Sequence, residues 1–217
     1  MSADPEHLTD EARIALAHAD IRIRAPLATM LELDGRLARI VAATTEPMLG
    51  QMRLAWWRDT LKSEVSERPR GDAVLDSIGE EWRGHEGALI ALVDAWEHLL
   101  ADTLERWHAE AFADGRGAPF AALALMTGDR KHTKACARAG RRWALADAAV
   151  HVADDNERET LLDLAREDMA SVVLPRPLRG LAVLDALARR SIVNGGQALM
   201  HGRGAALVAA RAAIIGR

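Results

Sequence analysis

The chain has 217 residues, with 28 basic against 32 acidic side chains and a formal net charge of −4, which excludes the strongly cationic surface expected of a nucleic-acid-binding protein. With 49% hydrophobic residues it carries enough apolar surface to offset the entropy of ordering, so wholesale disorder is excluded and the length suits one domain, residues 1–217. Its single cysteine, Cys136, cannot close an internal disulfide, and no Cys/His spacing has the form of a zinc site, so a reducing compartment is expected.

The start, MSADPEHLTDEAR, carries acids where a signal peptide would carry a basic segment and an apolar core, which predicts a cytoplasmic location. Ala, Leu, Arg and Glu dominate and tyrosine is absent. This composition favours helix over strand and predicts an all-α fold. Pro26 is placed to open a first long helix through Leu37 to Val41. Thr45-Glu46-Pro47 offers a capping hydroxyl, an acid and a proline for the next, which runs to about Val65 and ends at Arg68-Pro69-Arg70-Gly71. A weaker helix spans 74–82. Between residues 86 and 111, Leu89, Leu92, Val93, Trp96, Leu99, Leu100, Leu104 and Trp107 recur at three- and four-residue steps, predicting one long core helix. Asp114-Gly115-Arg116-Gly117 reads as a turn leading into 120–126. Further helices are predicted at about 131–151, 156–170, 178–192 and 196–214. The apolar tail, 204–215, is shorter than the roughly 20 residues a bilayer crossing needs and contains Arg211. It reads first as a terminal core helix, with peripheral contact to a membrane surface, such as the inner membrane, as the other reading.

Several constellations bear on chemistry. On the helix that follows Glu46, Leu49, Met52 and Trp56 share one face and Leu54, Trp57 and Leu61 another, as expected of a central bundle helix. A third row, Glu46, Gly50, Arg53 and Trp57, places a small gap beside a cation and an indole, a surface suited to a diphosphate or an isoprenoid chain. Asp155, Glu159, Asp163 and Glu167 form an acidic stripe at four-residue spacing. Such acids can share Mg²⁺, but interleaved Arg158 and Arg166 favour a solvated, salt-bridged face. Glu105-x-x-His108 and Asp129-x-x-His132 have the spacing of di-iron ligands without the further inward acids such a site needs. Cys136, in a basic stretch, reads as a buried small hydrophobe.

The run Glu46-Pro47-Met48-Leu49-Gly50-Gln51-Met52-Arg53-Leu54, followed by Trp56-Trp57-Arg58-Asp59, resembles the early region of the squalene/phytoene synthase family. It is most similar to divergent bacterial members and to the branch containing a mitochondrial complex I assembly factor. Arg141 to Ala146 and the Leu174-Pro175-Arg176-Pro177-Leu178-Arg179 turn suit that family's later half. The resemblance implies a shortened, single-domain helical bundle of the isoprenoid synthase type. Active members join two prenyl diphosphates head to head, using two aspartate-rich helical motifs that hold Mg²⁺ against the leaving diphosphate. In the first motif the fitting position is Asp34, but the acid expected four residues later is Ala38. The nearest counterpart of the second is Asp163, Glu167 and Asp168 before Leu174-Pro175, with altered spacing.

The leading expectation is therefore a catalytically degenerate relative with no resident cofactor, acting as a prenyl-lipid-binding protein or an assembly factor that meets respiratory-complex subunits. A competing reading is an active head-to-head prenyltransferase on farnesyl or geranylgeranyl diphosphate. It would use Asp34 as the catalytic acid, Asp34, Asp163, Glu167 and Asp168 as Mg²⁺ ligands, and Arg53, Trp57 and Arg58 as substrate contacts. A third is a helical protein-interaction module.

Overall fold

A computed structural model describes residues 8–217, so the acidic start at 1–7 lies outside the described residues. Among the described residues the chain forms ten α-helices and no strand: α1 (Asp10–Ala17), α2 (Ile21–Ala42), α3 (Pro47–Lys62), α4 (Ala73–Glu81), α5 (Glu86–Glu97), α6 (Arg106–Met126), α7 (Thr133–His151), α8 (Asp155–Arg166), α9 (Arg179–Val193) and α10 (Gly204–Ile215). The all-α expectation holds. Side chains from every helix join one continuous buried apolar cluster. Helix α6 packs between α5 and α7; α7 lies against α8 and α9, and α9 against α1 and α10. None of the described helices is long and apolar enough to cross a membrane.

The helix starts follow local chemistry. Asp20, Asp72 and Asp154 each accept hydrogen bonds from first-turn backbone N–H groups of α2, α4 and α8, satisfying donors that the helix itself leaves free. Pro47 occupies the first turn of α3, as expected, although neither Thr45 nor Glu46 caps it through a side chain. Helix α2 begins at Ile21 rather than Pro26. Its Asp20 cap nucleates it five residues earlier, and Pro26 is accommodated in the second turn, where its carbonyl accepts the Trp82 indole N–H at 3.0 Å.

Two expectations fail instructively. The long helix predicted over 86–111 is broken: α5 ends at Glu97, a tight turn covers 98–100, and α6 begins at Arg106. Leu100 and Leu104 are still buried in the break, so apolar spacing persists where the helix does not. Conversely, Asp114-Gly115-Arg116-Gly117 is not a turn but the middle of α6. A Cβ on Gly115 would lie 2.5 Å from the Ala91 carbonyl oxygen of α5, and one on Gly117 2.9 Å from the Ala137 carbonyl oxygen of α7. These glycines let α6 approach both neighbours closely, and that approach carries Arg116 into the centre of the bundle.

Candidate functional site

Arg116 sits on the inward row of α6, four residues after Phe112 and four before Phe120, all three buried. Its guanidinium is shared by carboxylates from two other helices. Nε and Nη2 donate to the two oxygens of Asp34 on α2 at 2.8 and 2.6 Å, and Nη1 pairs with Asp147 Oδ2 on α7 at 2.7 Å. Asp34 Oδ1 also accepts the Trp96 indole N–H at 2.8 Å. Rings of Trp96, Phe112 and Trp143 surround the cation, with its centre 4.9, 5.5 and 4.0 Å from their centroids. Forked hydrogen bonding and stacking on aromatic faces are geometries that suit arginine rather than lysine. Burial opposes the charge on Arg116, but the fields and hydrogen bonds of Asp34 and Asp147 outweigh it and raise its pKa above the ordinary arginine range.

A cavity of about 270 Å³ adjoins this cluster. Ala38, Val41, Leu99, Leu104 and Val152 supply apolar wall, while Trp96 and Asp147 belong to both the wall and the ion cluster. His151 and Glu157 are its other ionisable groups, and Glu157 Oε1 accepts the Leu104 backbone N–H at 2.9 Å. The cavity therefore has a largely apolar wall, in which Asp147 is paired with Arg116 and Glu157 holds a backbone N–H.

A second buried cluster braces the neighbouring interface. Arg142 on α7 donates through Nε to Asp185 Oδ1 of α9 at 2.7 Å and through Nη1 to the Asp168 carbonyl oxygen at 3.0 Å. Burial raises the Asp185 pKa even against the opposing pull of Arg142. Asp168 is gripped by both arms of Arg138, whose hydrogen bonds hold its carboxyl below the usual range.

The residues singled out from sequence do not assemble. Asp34 is buried and committed to Arg116 and Trp96. Asp163 pairs with Arg166 at 2.7 Å, Glu167 with Arg106 at 2.8 Å, and Asp168 with Arg138. No group of three or more His, Cys, Asp or Glu side chains among the described residues is arranged to hold a metal ion. The 155–167 stripe is the salt-bridged face expected, with Arg158 on Asp155 and Arg166 on Glu159 and Asp163.

The Glu46/Gly50/Arg53/Trp57 row also differs from its reading. Gly50 is no vacant gap, because a Cβ there would meet Leu100 Cδ1 at 2.8 Å and Thr44 at 2.9 Å. Trp57 is buried, with the Arg36 guanidinium over its ring at 5.8 Å, and Arg53 is exposed. Arg58 ties α3 to α5 through Asp94 and Glu97. Glu105 and His108 cap α6, with the Glu105 N–H donating to His108 Nδ1 at 3.2 Å, and His132 Nδ1 lies 2.7 Å from Asp129. Cys136 is buried, which together with the nearby acids Asp129 and Asp185 pushes its thiol up to about 12.

The residues the sequence reading missed are Arg116 and Trp96 as partners of Asp34, and Asp147 as the second carboxylate on Arg116. The available signal was an arginine on the Phe112–Phe120 row and an aspartate four residues after Trp143, both polar groups at inward positions. No protein-family model, curated protein or solved structure matches the chain.

Proposed function

We propose that the chain is a shortened squalene/phytoene-synthase-like bundle that has given up metal-dependent catalysis and works by holding a single isoprenoid lipid or as a respiratory-complex assembly factor. The observation that carries this reading is the placement of Arg116. Two carboxylates on separate helices, Asp34 and Asp147, are bridged by a guanidinium, where a synthase would leave facing acids open to Mg²⁺.

Mg²⁺ demands near-ideal octahedral oxygen coordination and usually one or two carboxylates. This donor set does not fit it: each oxygen of Asp34 already accepts a charged hydrogen bond, and Asp163, Glu167 and Asp168 lie on arginines elsewhere. A diphosphate leaving group would have no metal to compensate its charge, and compensation of developing charge is the main burden of such catalysis. The cavity volume, about 270 Å³, lies below the ~300–1,000 Å³ of common small-molecule pockets. That supports one apolar chain rather than two prenyl diphosphates side by side.

The test is to incubate the purified chain with farnesyl or geranylgeranyl diphosphate and Mg²⁺ and to follow product and pyrophosphate. The expected result is neither. Product that forms and then disappears in Asp34→Ala would establish the synthase instead. For the assembly role, a deletion strain should lose respiratory-complex levels, and normal levels would remove that part of the proposal.

A further inference from the structure

Charge is unevenly distributed along the chain. Residues 169–217 contain seven arginines and one acid, Asp185, a net of 7 − 1 = +6; residues 1–168 contain 21 basic and 31 acidic side chains, a net of −10. That one acid is buried and hydrogen-bonded to Arg142. The segment thus carries a cationic excess, of which Arg176 lies in the field of Asp20 and Arg189 in that of Asp185.

Helix α10 concentrates the effect and is inverted relative to a soluble helix. Its inward face is alanine, with Ala205, Ala209, Ala212 and Ala213 buried. At 100° per residue, Arg203, Leu207, Arg211 and Ile214 fall within an arc of about 80° on the opposite side. Leu207 is 74% and Ile214 70% exposed. The terminal core helix expected from sequence does dock, but by its smallest side chains. Two further exposed apolar groups stand beside it: Val193, 75% exposed at the end of α9, which packs against α10, and Val173, 58% exposed. Val173 is held at the far end of α10 because the Leu174 N–H donates to the Gly216 carbonyl at 2.8 Å.

Between α9 and α10 lies a cleft of about 470 Å³ whose wall includes Arg189, Arg190, Arg211 and Arg217 and no acid. Arg189 Nε and Arg190 Nη1 are buried without a hydrogen-bond partner. Buried donors of this kind normally find an acceptor, and these two lie along a cleft wall that carries four arginines beside the neutral Ser171 and Asn194.

From this face we infer that α9 and α10 dock the protein onto an anionic phospholipid surface, Leu207, Ile214, Val193 and Val173 entering the headgroup boundary and the arginine cleft receiving lipid phosphate. Charge complementarity selects this occupant. A second copy seated by two-fold symmetry would set the arginines against themselves. A nucleic acid would pair with the arginines but leave the aliphatic row unused, whereas interfacial helices use both. The inference does not depend on the proposed lipid-holding role, since α10 and the cleft are separate from the Asp34–Arg116–Asp147 cavity.

The experiment is vesicle flotation of the full chain, with phosphatidylcholine alone and with phosphatidylcholine mixed with phosphatidylglycerol. The protein should float with the mixed vesicles only and be released by salt. Arg211→Gln and Arg217→Gln should each weaken partition by about fivefold, and Leu207→Asn/Ile214→Asn should abolish it with the helical circular dichroism unchanged. All four positions are exposed, so these variants fold. No flotation, equal flotation with neutral vesicles, or undiminished binding by the variants would overturn the inference. So would tight binding of inorganic phosphate without vesicle binding, or a solution dimer that Leu207→Asn/Ile214→Asn dissociates.

Discussion

Arg116→Met removes the central cation and keeps only an unbranched stem, which ends short of the guanidinium centre that Trp96, Phe112 and Trp143 surround. In the native protein the guanidinium makes two charged hydrogen bonds to Asp34 and a third ionic contact to Asp147, with both the arginine and Asp34 almost completely removed from water. Deleting one partner of such a cluster strands the other charges in low dielectric, at a cost of about 3–5 kcal/mol. For a domain of this size each kcal/mol corresponds to roughly 2–4 °C, so the melting temperature should fall by about 6–20 °C. Differential scanning calorimetry and urea titration measure the loss. Arg116→Lys should recover little, because an ammonium cannot reproduce the fork to Asp34 or the stacking. In a double-mutant cycle with Asp34→Asn, which keeps an acceptor for the Trp96 indole, the two losses should overlap by about 0.5–3 kcal/mol. A loss under about 1 kcal/mol for Arg116→Met, or strict additivity with Asp34→Asn, would refute the view that this pairing organises the centre of the bundle.

Other consequences can be checked in the same preparations. Gly115→Ala should destabilise by about 1–3 kcal/mol through overpacking against Ala91 and Ala95 of α5, whereas Gly87→Ala, with open space around its Cβ, should be neutral or slightly stabilising in a thermal melt. Cys136 should resist iodoacetamide at pH 8 in the folded protein and react on unfolding, since burial and neighbouring acids hold its thiol far above that pH; rapid alkylation without unfolding would contradict the placement. Asp168 and Asp72 have folded-state pKa values held down, by the Arg138 hydrogen bonds for Asp168 and, against burial, by Arg36 and backbone N–H groups for Asp72. Their contribution is therefore present above the unfolded carboxylate value of about 4 and is lost as pH falls through the lower folded values. Asp168→Asn and Asp72→Asn should each flatten the acid side of the stability–pH curve, and an unchanged slope would remove these pairs from the explanation.

How far the sequence disclosed this molecule depends on what each signal physically reports. Helical content was legible because propensity and three-to-four spacing are local, but the caps at Asp20, Asp72 and Asp154 were not read from the sequence, and missing Asp20 placed the start of α2 five residues late at Pro26. Spacing reports only which side chains face the core, however, and Leu100 and Leu104 keep facing it through the break between α5 and α6. Gly115 and Gly117 were misread because a turn and a close helix contact ask the same thing of a residue, the absence of a Cβ. The decision rests with the Ala91 and Ala137 carbonyls on other helices. Asp34 stood out in the sequence, but its partners are 82 and 62 residues away at Arg116 and Trp96. Long-range pairing of this kind is invisible to local pattern, although polar residues on the rows Phe112–Phe120 and Trp143–Asp147 marked the place. In α10 the apolar composition was plain, and only packing decided that alanines point inward and Leu207 and Ile214 outward.

The most direct measurement of whether an internal cation has taken the place of magnesium is Mn²⁺ binding followed by electron paramagnetic resonance, with and without farnesyl diphosphate. With Asp34 and Asp147 both committed to Arg116, the free-ion signal should persist unchanged at stoichiometric protein, with or without the diphosphate. A tightly bound Mn²⁺ that is lost in Asp34→Asn would contradict it.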